Sequence, residues 1–181
     1  MMTDKAVKGK MIAWASAACF MARALAYLFP AIHFVRVNEG LIVAAVILDT
    51  LGYMGLAATV FLRNRKAVTI AAGVQFLAQL LIFAVNFSLE YFDWIHVFTM
   101  LTYALLAAAA FYSARQAGWA KKICFLPVAF FFASLLAYVG QFGQSFLTTL
   151  AQLEPDDWVC LIAETAALIL AGFWLRRETE E

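Results

Sequence analysis

Of the 181 residues, 65% are hydrophobic and 14% charged, whereas an ordinary soluble domain has about 25% charged residues. A soluble fold of this size cannot hide that much apolar surface, so lipid must form part of the solvent. The formal net charge is +1, and no basic block forms a nucleic-acid-binding surface.

Six apolar spans follow in chain order, at residues 11–35, 41–62, 67–89, 94–112, 123–150 and 158–175. About 20 helical residues rising ~1.5 Å each cross a ~30 Å hydrocarbon core. The polar breaks between spans are short, which forces neighbouring helices to run antiparallel. The expected fold is all-α: one integral membrane bundle of six transmembrane helices occupying residues 1–181. Lys5, Lys8 and Lys10 ahead of the first span, with small residues at Ala22, Ala24 and Ala26, also fit a cleaved leader. Residues 27–35 continue the apolar stretch, so the first span is read as a retained helix.

Eleven of the thirteen Lys and Arg residues fall at one set of helix ends: the start of the chain, 63–66, 115–122 and 176–177. Arg36 alone lies on the opposite side, and Arg23 lies inside the first span. The positive-inside rule then puts both termini in the cytoplasm. The five tryptophans fit two interfacial belts, Trp94 and Trp158 outside, Trp14, Trp119 and Trp174 inside. Cys19, Cys124 and Cys160 lie in separate apolar spans without CxxC spacing, as small buried hydrophobes do.

Each span carries a polar face. In the first, Ser16, Arg23 and Tyr27 share a side with Pro30, and His33 lies near the outer end. The second holds Asp49 one turn before Tyr53. In the third, Gln75, Gln79 and Asn86 fall within roughly 40° of one another at ~100° per residue. The fourth aligns His96, Thr99 and Tyr103. The fifth carries Ser134, Tyr138, Gln141, Ser145 and Thr148, with Pro127, Gly140 and Gly143 as positions for a kink or break. Glu164 stands nearly alone in the sixth.

Most of these groups lie in the outer half, and the inner half is mainly apolar. A pocket open to the exterior uses such a gradient, with Arg23, Asp49, Gln79, Asn86, His96, Tyr103, Tyr138, Gln141 and Glu164 as its candidate solute-binding residues. The competing reading is hydrogen bonding between helices, worth ~0.6 kcal/mol per pair on average. Arg23 is expected to pair with Asp49 or Glu164, the acids inside the spans, because an isolated guanidinium at mid-membrane is costly. No cofactor or metal ion is expected. The sequence has no GxSxG, HExxH, phosphate-binding glycine loop or paired-cysteine motif, and His33 and His96 have no metal-ligand spacing. The reading is therefore of a solute transporter rather than an enzyme. A membrane enzyme acting on a lipid-like substrate, or an accessory or sensor protein with a structural polar core, are the alternatives.

Two segments repeat. Leu51–Arg65 matches Leu101–Arg115 at Leu, Tyr, Leu, Ala, Ala, Phe and Arg without a gap, and Phe76–Phe87 resembles Phe131–Phe142. Three helical hairpins are one source of such a pattern, and shared Leu/Ala/Phe composition is the other. Ala18, Ala22 and Ala26 stand at i, i+4, i+8 on the first helix. In this spacing and in its six-helix outline, the chain resembles the S-components of energy-coupling-factor (ECF) vitamin transporters. The resemblance implies a substrate site near the outer face of the cytoplasmic membrane, and a coupling membrane subunit packed on that alanine face with separate ATPases. Arg23 departs from the small-residue pattern, and the long glycine-bearing loops usual in the family are missing.

The charge asymmetry gives a test of orientation. Single cysteines placed at Asp93 or Glu154 are expected to react with impermeant thiol reagents on whole cells, and cysteines at Arg65 or Lys121 are expected not to. Labelling at Arg65 from outside reverses the topology.

Overall fold

The computed structural model describes residues 4–37, 40–88, 94–141 and 153–178. All secondary structure among them is helical: α1 (Asp4–Val37), α2 (Leu41–Phe61), α3 (Arg65–Ser88), α4 (Trp94–Ala114), a single turn α5 (Ala120–Ile123), α6 (Leu126–Gln141) and α7 (Pro155–Glu178). Five stretches are long and apolar enough to cross a membrane: Val43–Phe61, Arg65–Val85, Trp94–Ala114, Ala120–Gly140 and Pro155–Arg177. With the 34-residue α1 beside them, the architecture is that of a multi-pass membrane protein.

The helices run beyond most of the expected spans, and one span is divided. The fifth span, expected over 123–150, is interrupted at Cys124–Phe125 between α5 and α6. Pro127 explains the position: it disfavours helical geometry just ahead of it and sits comfortably in the first turn of α6. The break docks on α7, where Gly172 is required. A β-carbon there would lie 2.8 Å from the Cys124 carbonyl oxygen and 3.0 Å from the Phe125 ring. Residues 142–150 of this span, with Gly143, Ser145 and Thr148, lie outside the described residues.

The α2–α3 hairpin is closed by local chemistry. Arg63 adopts the left-handed conformation, with φ 56°. Its amide donates to the Val60 carbonyl at 2.9 Å and that of Asn64 donates to Thr59 at 3.0 Å, which satisfies the last carbonyls of α2. The Asn64 side chain then accepts from the Ala67 amide at 3.1 Å and caps α3. Gln116, φ 53°, ends α4 in the same way.

Chain neighbours pack side by side from α1 to α4, α6 packs on α4, and α7 lies along α1. Ser16 in α1 donates to the Ala167 carbonyl of α7 at 2.8 Å. At the end rich in Lys and Arg, Arg65 donates to the Ser113 carbonyl at 2.8 Å, and the Ser113 hydroxyl donates to the Leu175 carbonyl at 3.1 Å. The apolar core fills this half of the bundle, through Phe20, Leu56, Val60, Val68, Leu106, Leu168 and Trp174.

Outward-facing positions are apolar. Ile70, Leu136 and Ile162 are 62–70% exposed, as lipid-facing side chains are in a membrane protein. At the basic end, Lys10 lies over the Trp14 ring at 4.5 Å and Lys122 over Trp119 at 5.1 Å, an arrangement suited to a headgroup boundary. Trp14, Trp94 and Trp119 are exposed, in keeping with belts. Trp174 corrects that expectation: it is fully buried in the core, because its face of α7 turns inward.

Candidate functional site

The apolar half gives way to a buried polar layer in the other half of the bundle. Helical spacing builds it, since residues four or seven apart share a face. In this way α2 presents Asp49 and Tyr53, α3 presents Gln75 and Gln79, and α4 presents His96 and Tyr103. Arg23 enters from α1 and Glu164 from α7. Asp49, Tyr53, Gln75, Gln79, Tyr103 and Glu164 are all buried.

Two sets of contacts result. In the first, the Arg23 Nε donates to Glu164 Oε2 at 3.2 Å. The Arg23 guanidinium also lies 4.6 Å from the centroid of the Tyr53 ring. Tyr53 donates its hydroxyl to Glu164 Oε1 at 2.7 Å, and the Tyr103 hydroxyl donates to the same oxygen. The two phenolic oxygens are 2.7 Å apart and the rings meet edge to face. Glu164 thus receives a cation and two hydroxyl donors from three other helices.

In the second set, Asp49 Oδ1 accepts from Gln75 Nε2 at 2.5 Å and from Gln79 Nε2 at 2.7 Å. The Gln79 carbonyl oxygen lies 3.2 Å from His96 Nδ1. Because Gln79 turns its amide nitrogen to Asp49, its oxygen faces His96, and Nδ1 must be the donor. Gln75 is held from behind by α2. A β-carbon on Gly52 would lie 1.9 Å from Gln75 Oε1 and 3.3 Å from Gln75 Cα. Only glycine admits the carboxamide there, and among the described residues the oxygen that meets it has no hydrogen-bond donor.

The structure therefore brings together six of the residues expected from sequence: Arg23, Asp49, Gln79, His96, Tyr103 and Glu164. Arg23 takes Glu164 as its ion-pair partner, and Asp49 takes the carboxamides. Tyr138 is 36% exposed on α6, which packs on α4. The side chains of Tyr27, His33, Asn86 and Gln141 lie outside the described residues. Tyr53 and Gln75 complete the layer and were not among the expected site residues. Their sequence signals are Tyr53's match to Tyr103 in the repeat and Gln75's place one turn before Gln79.

Among the described residues, no group of three or more His, Cys, Asp or Glu is arranged to hold a metal ion. Comparison of the chain with family models, curated proteins and solved structures gave no match.

Gly52 offers a sharp test of the amide–carboxylate contact. Gly52→Ala is expected to push Gln75 off Asp49 and lower stability by about 1–3 kcal/mol, the range for a buried polar group losing its partner. Gly73→Ala is a control, because a β-carbon there meets nothing within 4 Å. Adding Gln75→Ala to Gly52→Ala removes the clash and is expected to recover part of the loss in detergent unfolding. Equal melting points for Gly52→Ala and Gly73→Ala contradict the close approach.

Proposed function

We propose that this protein binds a small polar solute in the layer formed by Arg23, Asp49, Gln79, His96, Tyr103 and Glu164, and carries it across the membrane. The observation that carries this reading is the placement of ionisable groups. Two acids, an arginine and a histidine meet in one half of the bundle, and the other half is packed with apolar side chains. Bare architecture is served more cheaply by apolar packing, and ionisable residues inside membrane helices mark solute and ion pathways. Two buried carboxyls face one guanidinium, so the layer favours a solute with a cationic or hydrogen-bond-donating group. Asn86 and Gln141, toward the same ends of α3 and α6, belong to the proposed lining, and so does Tyr138.

In the orientation given by the basic residues, this layer opens toward the outside of the cytoplasmic membrane and both termini lie inside. The S-component reading adds a coupling partner on α1. Its support is that Ala18 and Ala22 are exposed, whereas Ala13, Ala17 and Ala24 on the same helix are buried in packing.

The test is a thermal-shift screen of purified protein against small amines, amino acids and vitamins, followed by binding to the variants. A ligand at about 100 times its dissociation constant raises stability by ~2.7 kcal/mol. Gln79→Leu is expected to weaken binding of such a ligand roughly 5- to 150-fold, corresponding to the ~1–3 kcal/mol of a lost hydrogen bond. Unchanged affinity with only a lower melting point makes the layer helix–helix glue.

A further inference from the structure

The contacts of the two buried acids differ, and the difference has a consequence for protons. Glu164 is matched by a guanidinium and two hydroxyls. Asp49 is matched by two neutral carboxamides. With Arg23, Asp49 and Glu164 all charged, the layer holds one uncompensated negative charge in a medium where that is expensive. Arg36 is no remedy, since it lies about 20 Å farther along α1 than Arg23 at ~1.5 Å per residue. The groups around Asp49 can be taken helix by helix. Among the described residues, the charged and titratable groups of the layer are Arg23 on α1, Tyr53 on α2 itself, His96 and Tyr103 on α4, and Glu164 with neighbouring Cys160 on α7, while α3 contributes Gln75 and Gln79. Arg23 is the one fixed positive charge among these groups and is hydrogen-bonded to Glu164, so His96 is the group among them that can carry a second positive charge opposite Asp49.

We infer that the chain His96–Gln79–Asp49 is a proton-binding site that holds one exchangeable proton. The geometry permits two placements without breaking a contact. With the proton on Asp49 Oδ2, His96 is neutral and still donates from Nδ1. With Asp49 ionised, the proton is on His96 Nε2 and the imidazolium donates from the same Nδ1. In both, Gln79 accepts from His96 and donates to Asp49 Oδ1, so the chain is satisfied either way. The layer is neutral in both states, and deprotonation of the chain returns the uncompensated charge. His96 stands two residues from exposed Trp94 at the start of α4 and is itself partly exposed, which gives the proton its exit toward that face. Toward the basic end the route meets the buried apolar side chains of Leu56, Val60 and Leu106. A solute cation and a proton then compete for the same carboxylate, which couples their movements. That use rests on the transport reading, and the proton site itself does not.

Infrared difference spectra of the full-length protein in lipid nanodiscs, recorded across a pH series without any solute, test the site. The wild type is expected to show a carboxylic acid C=O band that changes with pH together with imidazole bands. Asp49→Asn, which keeps the shape and an acceptor oxygen, is expected to abolish the carboxyl band. Asp49→Glu is expected to keep a titrating band at a shifted frequency, and this variant identifies the group even where Asp49→Asn folds poorly. Gln79→Leu is expected to uncouple the carboxyl and imidazole changes. No titrating carboxyl band in the wild type, or a band unmoved by Asp49→Glu, overturns the assignment. A titrating Asp49 in a protein that binds no solute in the screen would refute transport and leave the proton site standing.

Discussion

A guanidinium keeps its charge wherever the chain puts it, and the apolar interior of a bundle gives that charge almost no solvation. Arg23 lies midway along the first span, so the fold must bring it an anion. Glu164 supplies the charge from 141 residues away in sequence, and the pair pins the last helix against the first. The carboxylate in turn needs donors on its remaining lone pairs, and these come from Tyr53 on α2 and Tyr103 on α4. One buried ion pair thereby fixes the relative depth of four helices. Ser16 and Ala167 hold the same α1–α7 seam one layer closer to the basic end.

Asp49 obeys the same constraint with weaker means. Two carboxamides one turn apart on α3 converge on one oxygen, and Gly52 makes room for the nearer of them. Carboxamides solvate a charge without cancelling it, and the proton site proposed at Asp49 rests on that difference.

Much of this was legible in the sequence because membrane helices are written in long apolar runs interrupted by few polar residues. In that background each polar residue is informative. The costs of burying Arg23 restricted its partner to Asp49 or Glu164, and helical periodicity put Gln75 and Gln79 on one face. Periodicity places residues around their own helix but gives no rotation of one helix against another, so the choice of Glu164 over Asp49 needed coordinates. Tyr53 was placed on a polar face beside Asp49 but not in the site, because its hydroxyl partners are on α4 and α7. The burial of Trp174 was missed for a similar reason: an interfacial depth along the helix does not say which way the ring faces. The break before Pro127 was signalled as a position, and its docking on Gly172 is a tertiary contact that no local pattern encodes.

The Arg23–Glu164 pair holds the bundle's helices in register, and a double-mutant cycle measures it directly. Arg23→Met, Glu164→Gln and the double variant are compared with wild type by reversible unfolding in detergent. Either single change leaves a buried charge without its partner and is expected to lose about 3–5 kcal/mol. The double variant removes both charges and is expected to lose clearly less than the sum, a coupling of about 0.5–3 kcal/mol or more. Strict additivity of the two losses would show that Arg23 and Glu164 do not stabilise each other, and would contradict the organisation of the bundle around them.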